Sequence, residues 1–151
     1  CFKKNIQGAT ANGINVGVYF FTQATTEAEA VEEASMGLTL CSGYNLSYPI
    51  FVDTENGSGA ARANGLDKGT RTACVAAFCK TIANGGRKAG VYASKSWYNN
   101  KIDASAFSNY FIWVAQYNTT CNYKGKYNMW QYSSKGSVPG IKGNVDVNIA
   151  Y

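Results

Sequence analysis

Histidine is absent from the 151-residue chain. That removes the Ser-His and Cys-His nucleophile systems and the usual zinc ligand sets, leaving an all-cysteine site as the one zinc option. No run of 18 or more apolar residues occurs, so no membrane-spanning helix is expected. The start carries no basic n-region followed by an apolar h-region. Charge of one sign is not concentrated either. The 14 basic and 9 acidic residues give +5, and the nearest basic neighbours are Lys3 with Lys4 and Lys124 with Lys126. Without a basic stripe, nucleic acid is not an expected partner. The mild positive charge serves solubility and would also suit an anionic polymer.

Cysteine is sparse and odd in number: Cys1, Cys41, Cys74, Cys79 and Cys121, with no C-x-x-C pair. Cys74 and Cys79 fall on different faces of a helix, so a bridge between them is not expected. A thiol nucleophile would lack its usual base, and Cys41, Cys74 and Cys79 read as buried structural thiols. A Cys41–Cys121 disulfide stays open. What is plentiful is apolar and aromatic character, 46% and 14%, enough for one folded domain over residues 1–151.

Read in order, Phe2 to Asn12 has a helical spacing, with Phe2, Ile6 and Ala9 on one side and Gly13 as a stop. Asn15 to Phe21 reads as a strand of the buried parallel type, with Gly17, Tyr19 and Phe21 facing together. Thr25 to Leu40 is a helix. Thr26 and Glu29 have capping-box spacing, and Ala28, Val31, Ala34 and Leu38 form its apolar stripe. Asp67 caps a helix from about Lys68 to Ala83, whose inner face is Val75, Phe78, Cys79 and Ile82 and whose end is Asn84-Gly85-Gly86. Lys88 to Ala93 is a short strand, Ser94 to Asn100 a loop or turn, and Ala104 to Tyr110 a short helix. Phe111 to Tyr117, Tyr127 to Ser133 and Val145 to Ile149 are strands, with a turn at Val138-Pro-Gly-Ile141.

The stretch that organises the rest is Tyr48-Pro-Ile-Phe-Val-Asp-Thr-Glu-Asn56. Pro49 suits the first residue of a strand, and alternation puts Phe51, Asp53 and Glu55 on one face and Ile50 and Val52 on the other. Two acids at the C-terminal end of a buried strand, ahead of a glycine-rich loop, occupy the place where α/β proteins carry chemistry. The plainer reading is a solvated strand end that happens to hold two acids.

Alternating strands and helices predict an α/β fold with a parallel sheet. Short apolar strands, polar residues gathered at strand ends (Tyr19, Asp53, Glu55, Tyr92, Asp146) and the lack of a dinucleotide fingerprint favour a TIM-like barrel over an open sheet. Six segments occur in order: Gly17-Val-Tyr-Phe-Phe21, the Tyr48 to Glu55 stretch, Ala89-Gly-Val-Tyr-Ala-Ser94, Phe111-Ile-Trp-Val-Ala-Gln-Tyr117, Met129-Trp-Gln-Tyr-Ser-Ser134, and Val138-Pro-Gly-Ile141 leading to Asn144-Val-Asp-Val-Asn148. Together they resemble the family 25 glycoside hydrolases, lysozymes that cut peptidoglycan. The resemblance implies a (β/α)5(β)3 barrel, a single lysozyme-type catalytic domain, and cleavage of the β-1,4 bond between N-acetylmuramic acid and N-acetylglucosamine. It further implies a secreted, bacteriolytic enzyme at the bacterial cell wall; a monomer is expected, and no metal or organic cofactor, since carboxylates can work without one and the sequence shows no ligand cluster. There are two departures. The family domain opens with a strand ending in Asp and a second strand, both ahead of a helix like Phe2 to Asn12; these have no counterpart here, so the barrel is expected to be N-terminally incomplete. Phe20 stands where many family members carry His.

By the same resemblance Glu55 is the general acid, Asp53 assists the substrate's N-acetyl group, and Asp146 is the last-strand carboxylate at the barrel mouth. Inversion, with Asp53 as base for a water, is the competing scheme; a turn or cap is the competing role for Asp146. Tyr19, Tyr92, Trp113, Gln116, Trp130, Gln131 and Tyr132 supply aromatic faces and amides suited to sugar, although barrel aromatics are often core. Alternation prevents Trp130 and Gln131 from both facing inward. The alternative function is an inactive or truncated relative that only binds cell-wall glycan.

Overall fold

The computed structural model describes residues 1–151. Six strands form one sheet in the order β1 to β6: β1 Val18–Phe21, β2 Ile50–Asp53, β3 Ala89–Ser94, β4 Phe111–Ala115, β5 Met129–Gly136 and β6 Val145–Ala150. β1 to β5 are parallel and β6 runs antiparallel to β5. The sheet is curled into a half-barrel, with β1 and β6 each paired on one side only. The helices are α1 Phe2–Ala11, α2 Glu27–Cys41, α3 Lys68–Asn84 and α4 Lys95–Asn100, with a 3-10 turn at Ala104–Phe107. No helix is long and apolar enough to cross a membrane.

Strand alternation sorts the side chains into two layers. Ile50, Val52, Ala89, Val91, Ala93, Ile112, Val114 and Trp130 leave the convex face and join Phe78, Cys79 and Ile82 of α3 in the core. α2 and α3 pack on each other, α3 lies against β2 and β3, and α4 covers β3. Phe78 is fully buried, with the Phe20 ring 6.1 Å away; truncating a side chain so enclosed costs about 3–5 kcal/mol. The opposite residues, Phe51, Asp53, Tyr92, Trp113 and Gln131, point to the concave face. Gly90 makes room there: a Cβ on it would stand 2.4 Å from the Phe51 ring.

Local chemistry sets the helix ends. Thr26 accepts from the Glu29 amide, as the capping-box spacing predicts, but the Glu29 carboxylate reaches back to the Thr25 amide and hydroxyl. Asp67 caps α3 through the Thr70 amide, and Gly86 takes a left-handed φ of 77° just past its end. Three expectations need correction, and the one open cysteine pairing is decided. Of the expected α2 stripe, Ala34 is buried and Leu38 packs over Gly85 at the end of α3, but Ala28 and Val31 are exposed; Ala30, Gly37 and Cys41 are buried in their place, small residues that let the two helices approach closely. Residues 95–100 form a helix, since the Ser94 side chain caps the Trp97 amide. β1 is an edge strand rather than one buried on both faces, with Tyr19 65% exposed. All five cysteines are free thiols, Cys41 and Cys121 included.

Candidate active site

The C-terminal ends of the parallel strands surround a cavity of about 140 Å³ lined by Tyr19, Asp53, Glu55, Tyr92, Trp113, Gln131 and Asp146. Tyr19 comes from β1, Asp53 from the last residue of β2 with Glu55 just beyond it, Tyr92 from β3, Trp113 from β4 and Gln131 from β5. Asp146 is the second residue of β6, at the start of its strand and not the end. The antiparallel direction of β6 carries it to the same mouth. No group of three or more His, Cys, Asp and Glu is arranged to hold a metal ion.

Asp53 is the deep acid. It is 7% exposed, and its Oδ1 has no hydrogen-bond partner. Burial, helped by the charge of Glu55, pushes its pKa up to about 7. Glu55 stands nearer solvent; partial burial raises its pKa as well, with the charge of Asp146 second. Tyr92 is held as the neutral phenol by burial. The site therefore gathers three carboxyls, two of which bind protons more tightly than free carboxylates do.

The aromatic wall is braced. Trp113 meets Phe51 and Tyr92 edge-on, at centroid distances of 5.2 and 4.7 Å, and its indole N–H donates to Asn148 Oδ1 at 2.8 Å. Behind Glu55, the loop to α3 is tied down by several bonds. Asn64 spans Gly57 and Gly59, and the Arg62 guanidinium meets Glu29 at 2.6 Å. Arg71, 2% exposed, donates to the Ala63 carbonyl and lies 4.5 Å from the Trp97 ring.

Three sequence candidates lie elsewhere. Trp130 is in the convex core, its indole N–H donating to the Gln116 carbonyl at 2.8 Å. Tyr132 lies beside it, with rings 5.7 Å apart. The Gln116 side chain is engaged with Asn122. Trp130 and Gln131 do face opposite ways. Sequence reasoning missed Asn148 and Tyr117. Alternation held the signal for both: Asn148 is two residues from Asp146, and Tyr117, not Gln116, shares the parity of Trp113.

An α/β half-barrel with acids and a braced aromatic wall at its mouth defines the class; residues 1–141 match the sequence profile of the glycosyl hydrolases family 25, and the chain belongs to that family. It is similar to the modular autolysin LytC of Streptococcus pneumoniae, solved in complex with a synthetic peptidoglycan ligand: 28% identity, TM-score 0.86, 99% of this chain and 37% of that one. The bacterial lysozyme of Streptomyces coelicolor gives 25% identity and a TM-score of 0.77, over 99% of this chain and 73% of that one. The autolytic lysozyme of Clostridium acetobutylicum is 26% identical over 148 residues, 97% of this chain and 43% of the relative. The chain spans about half the length of the curated relatives it matches.

Proposed function

We propose that this chain is a peptidoglycan hydrolase of the lysozyme type, cleaving the β-1,4 bond between N-acetylmuramic acid and N-acetylglucosamine at the bacterial cell wall, outside the cell membrane. The observation that carries the reading is the meeting of Asp53, Glu55 and Asp146 with Tyr19, Tyr92, Trp113 and Gln131 in one cavity. The same reading takes the curled sheet as part of a (β/α)5(β)3 barrel.

Glu55 is the general acid, nearer solvent than Asp53, where a leaving saccharide oxygen has access. Its raised pKa keeps a proton available, and a glycan that expels water from the cavity raises it further. Asp53 lies deeper, its Oδ1 closed to solvent and without a protein partner while the residue lines the cavity. It suits the N–H of the substrate's acetamido group, turning that group's carbonyl toward the anomeric carbon as an internal nucleophile. Asp146, through its charge, supports the proton on Glu55. Trp113 offers its face to the sugar, and the net charge of +5 favours an anionic wall.

Borohydride labelling of the ends released from purified wall tests this: new reducing ends at N-acetylmuramic acid are expected. Ends at N-acetylglucosamine would refute the bond assignment. Loss of cleavage on de-N-acetylated wall is expected for the assisted scheme, and inverted product would favour Asp53 as base for a water. Binding of wall by this chain without any new ends would mark a glycan-binding module instead.

A further inference from the structure

Gln131, 3% exposed on β5, is a wall residue whose orientation is over-determined. Its Oε1 accepts two hydrogen bonds, from the Tyr92 hydroxyl and the Tyr117 hydroxyl, each at 2.9 Å. An amide oxygen has two lone pairs, and the two phenols take both. The amide nitrogen, with two N–H donors, is then left to the cavity that Gln131 lines. Turned over, the same amide would present its oxygen to a cavity already holding three carboxyls. Orientation thus decides whether Gln131 offers a donor or one more acceptor.

The two tyrosines are not equivalent. Tyr92 is buried in β3 and held by Trp113 at 4.7 Å. Tyr117 is 59% exposed, lies just past β4, and is tied to the site through its hydroxyl. We infer that Tyr117 is a positioning residue: with Tyr92 it locks the Gln131 amide so that both N–H groups meet an acceptor oxygen of the bound saccharide. The inference rests on the glycan-hydrolase reading above. It adds a residue from the β4–β5 connection to the site and gives Gln131 a donor role selective for sugar hydroxyl or acyl oxygens.

The test is Tyr117→Phe in the full chain, which deletes the hydroxyl and keeps the ring. The probe is a soluble, peptide-free peptidoglycan oligosaccharide, followed by tryptophan fluorescence for Kd and by reducing ends for kcat and KM. Expected is a rise of about ten-fold in both Kd and KM, the worth of one hydrogen bond, with kcat changed by less than about two-fold. Gln131→Met, which removes both donors, is expected to lose at least as much binding. Wild-type Kd and KM in either variant would overturn the assignment, as would a lowered Tm with unchanged KM. A wild-type chain that neither binds nor cleaves the oligosaccharide would remove the hydrolase reading and this assignment with it; a cleaving wild type matched by Tyr117→Phe removes the assignment alone.

Discussion

Replacing Asp53 by asparagine should stabilise this protein at pH 8 and leave it nearly unchanged at pH 4. The carboxyl is 7% exposed, with an oxygen that has no partner, and its pKa rises from 3.8 to about 7. Below pH 3.8 the group is protonated folded and unfolded, and carries no penalty. As pH rises the unfolded chain ionises first, while the folded chain keeps its proton until about pH 7, so stability falls across that window and levels off above it. The full displacement corresponds to about 4 kcal/mol. Part of it comes from Glu55 across an open cavity, where water screens, so about 2–4 kcal/mol is the range expected. Urea denaturation of wild type and Asp53→Asn at half-unit steps from pH 4 to 8 measures it, with the difference growing in favour of asparagine. A difference that stays flat, or a wild type more stable at pH 8, would refute the claim that Asp53 is buried without compensation.

Two further outcomes follow from the same geometry. Asp146→Asn removes a charge that raises the pKa of Glu55, so the pH at which activity declines on the alkaline side should move to lower pH; an unmoved or upward-shifted limb in the kcat/KM profile would deny that contact a role. Thiol titration should find Cys1 and Cys121 reacting first, with buried Cys41, Cys74 and Cys79 reacting only in denaturant, their pKa values raised by burial; a denatured total of three thiols would instead reveal a disulfide.

How legible the fold was depended on whether the deciding interaction was local. The inner face of α3, the caps at Thr26, Asp67 and Gly86, and the split of Ile50 and Val52 from Phe51 and Asp53 follow from short-range periodicity, and the sequence pattern showed them. The face of α2 was only half legible: Ala34 and Leu38 follow the pattern, but helix–helix approach favoured Ala30 and Gly37 over the larger Val31. α4 was hidden because one serine cap decides between turn and helix over a single short segment. At the site, the D-x-E acids were visible as a strand-end pair. The gathering of Asp146 with them depends on the antiparallel return of β6, a long-range pairing that no local pattern encodes. Trp130, Tyr132 and Gln116 were attractive by type alone. Parity from Trp113 and Gln131 excludes Trp130 and Gln116, and Tyr132 alternates with Gln131 in the same way.

The central claim is that Glu55 delivers a proton to a departing saccharide. The direct measurement is the rate of reducing-sugar release from purified peptidoglycan by wild type and by Glu55→Gln, with matched circular dichroism spectra as the check on folding. A loss of about a thousand-fold in kcat for Glu55→Gln is the expected result. Equal rates for the two proteins, or no release by either, would contradict the account.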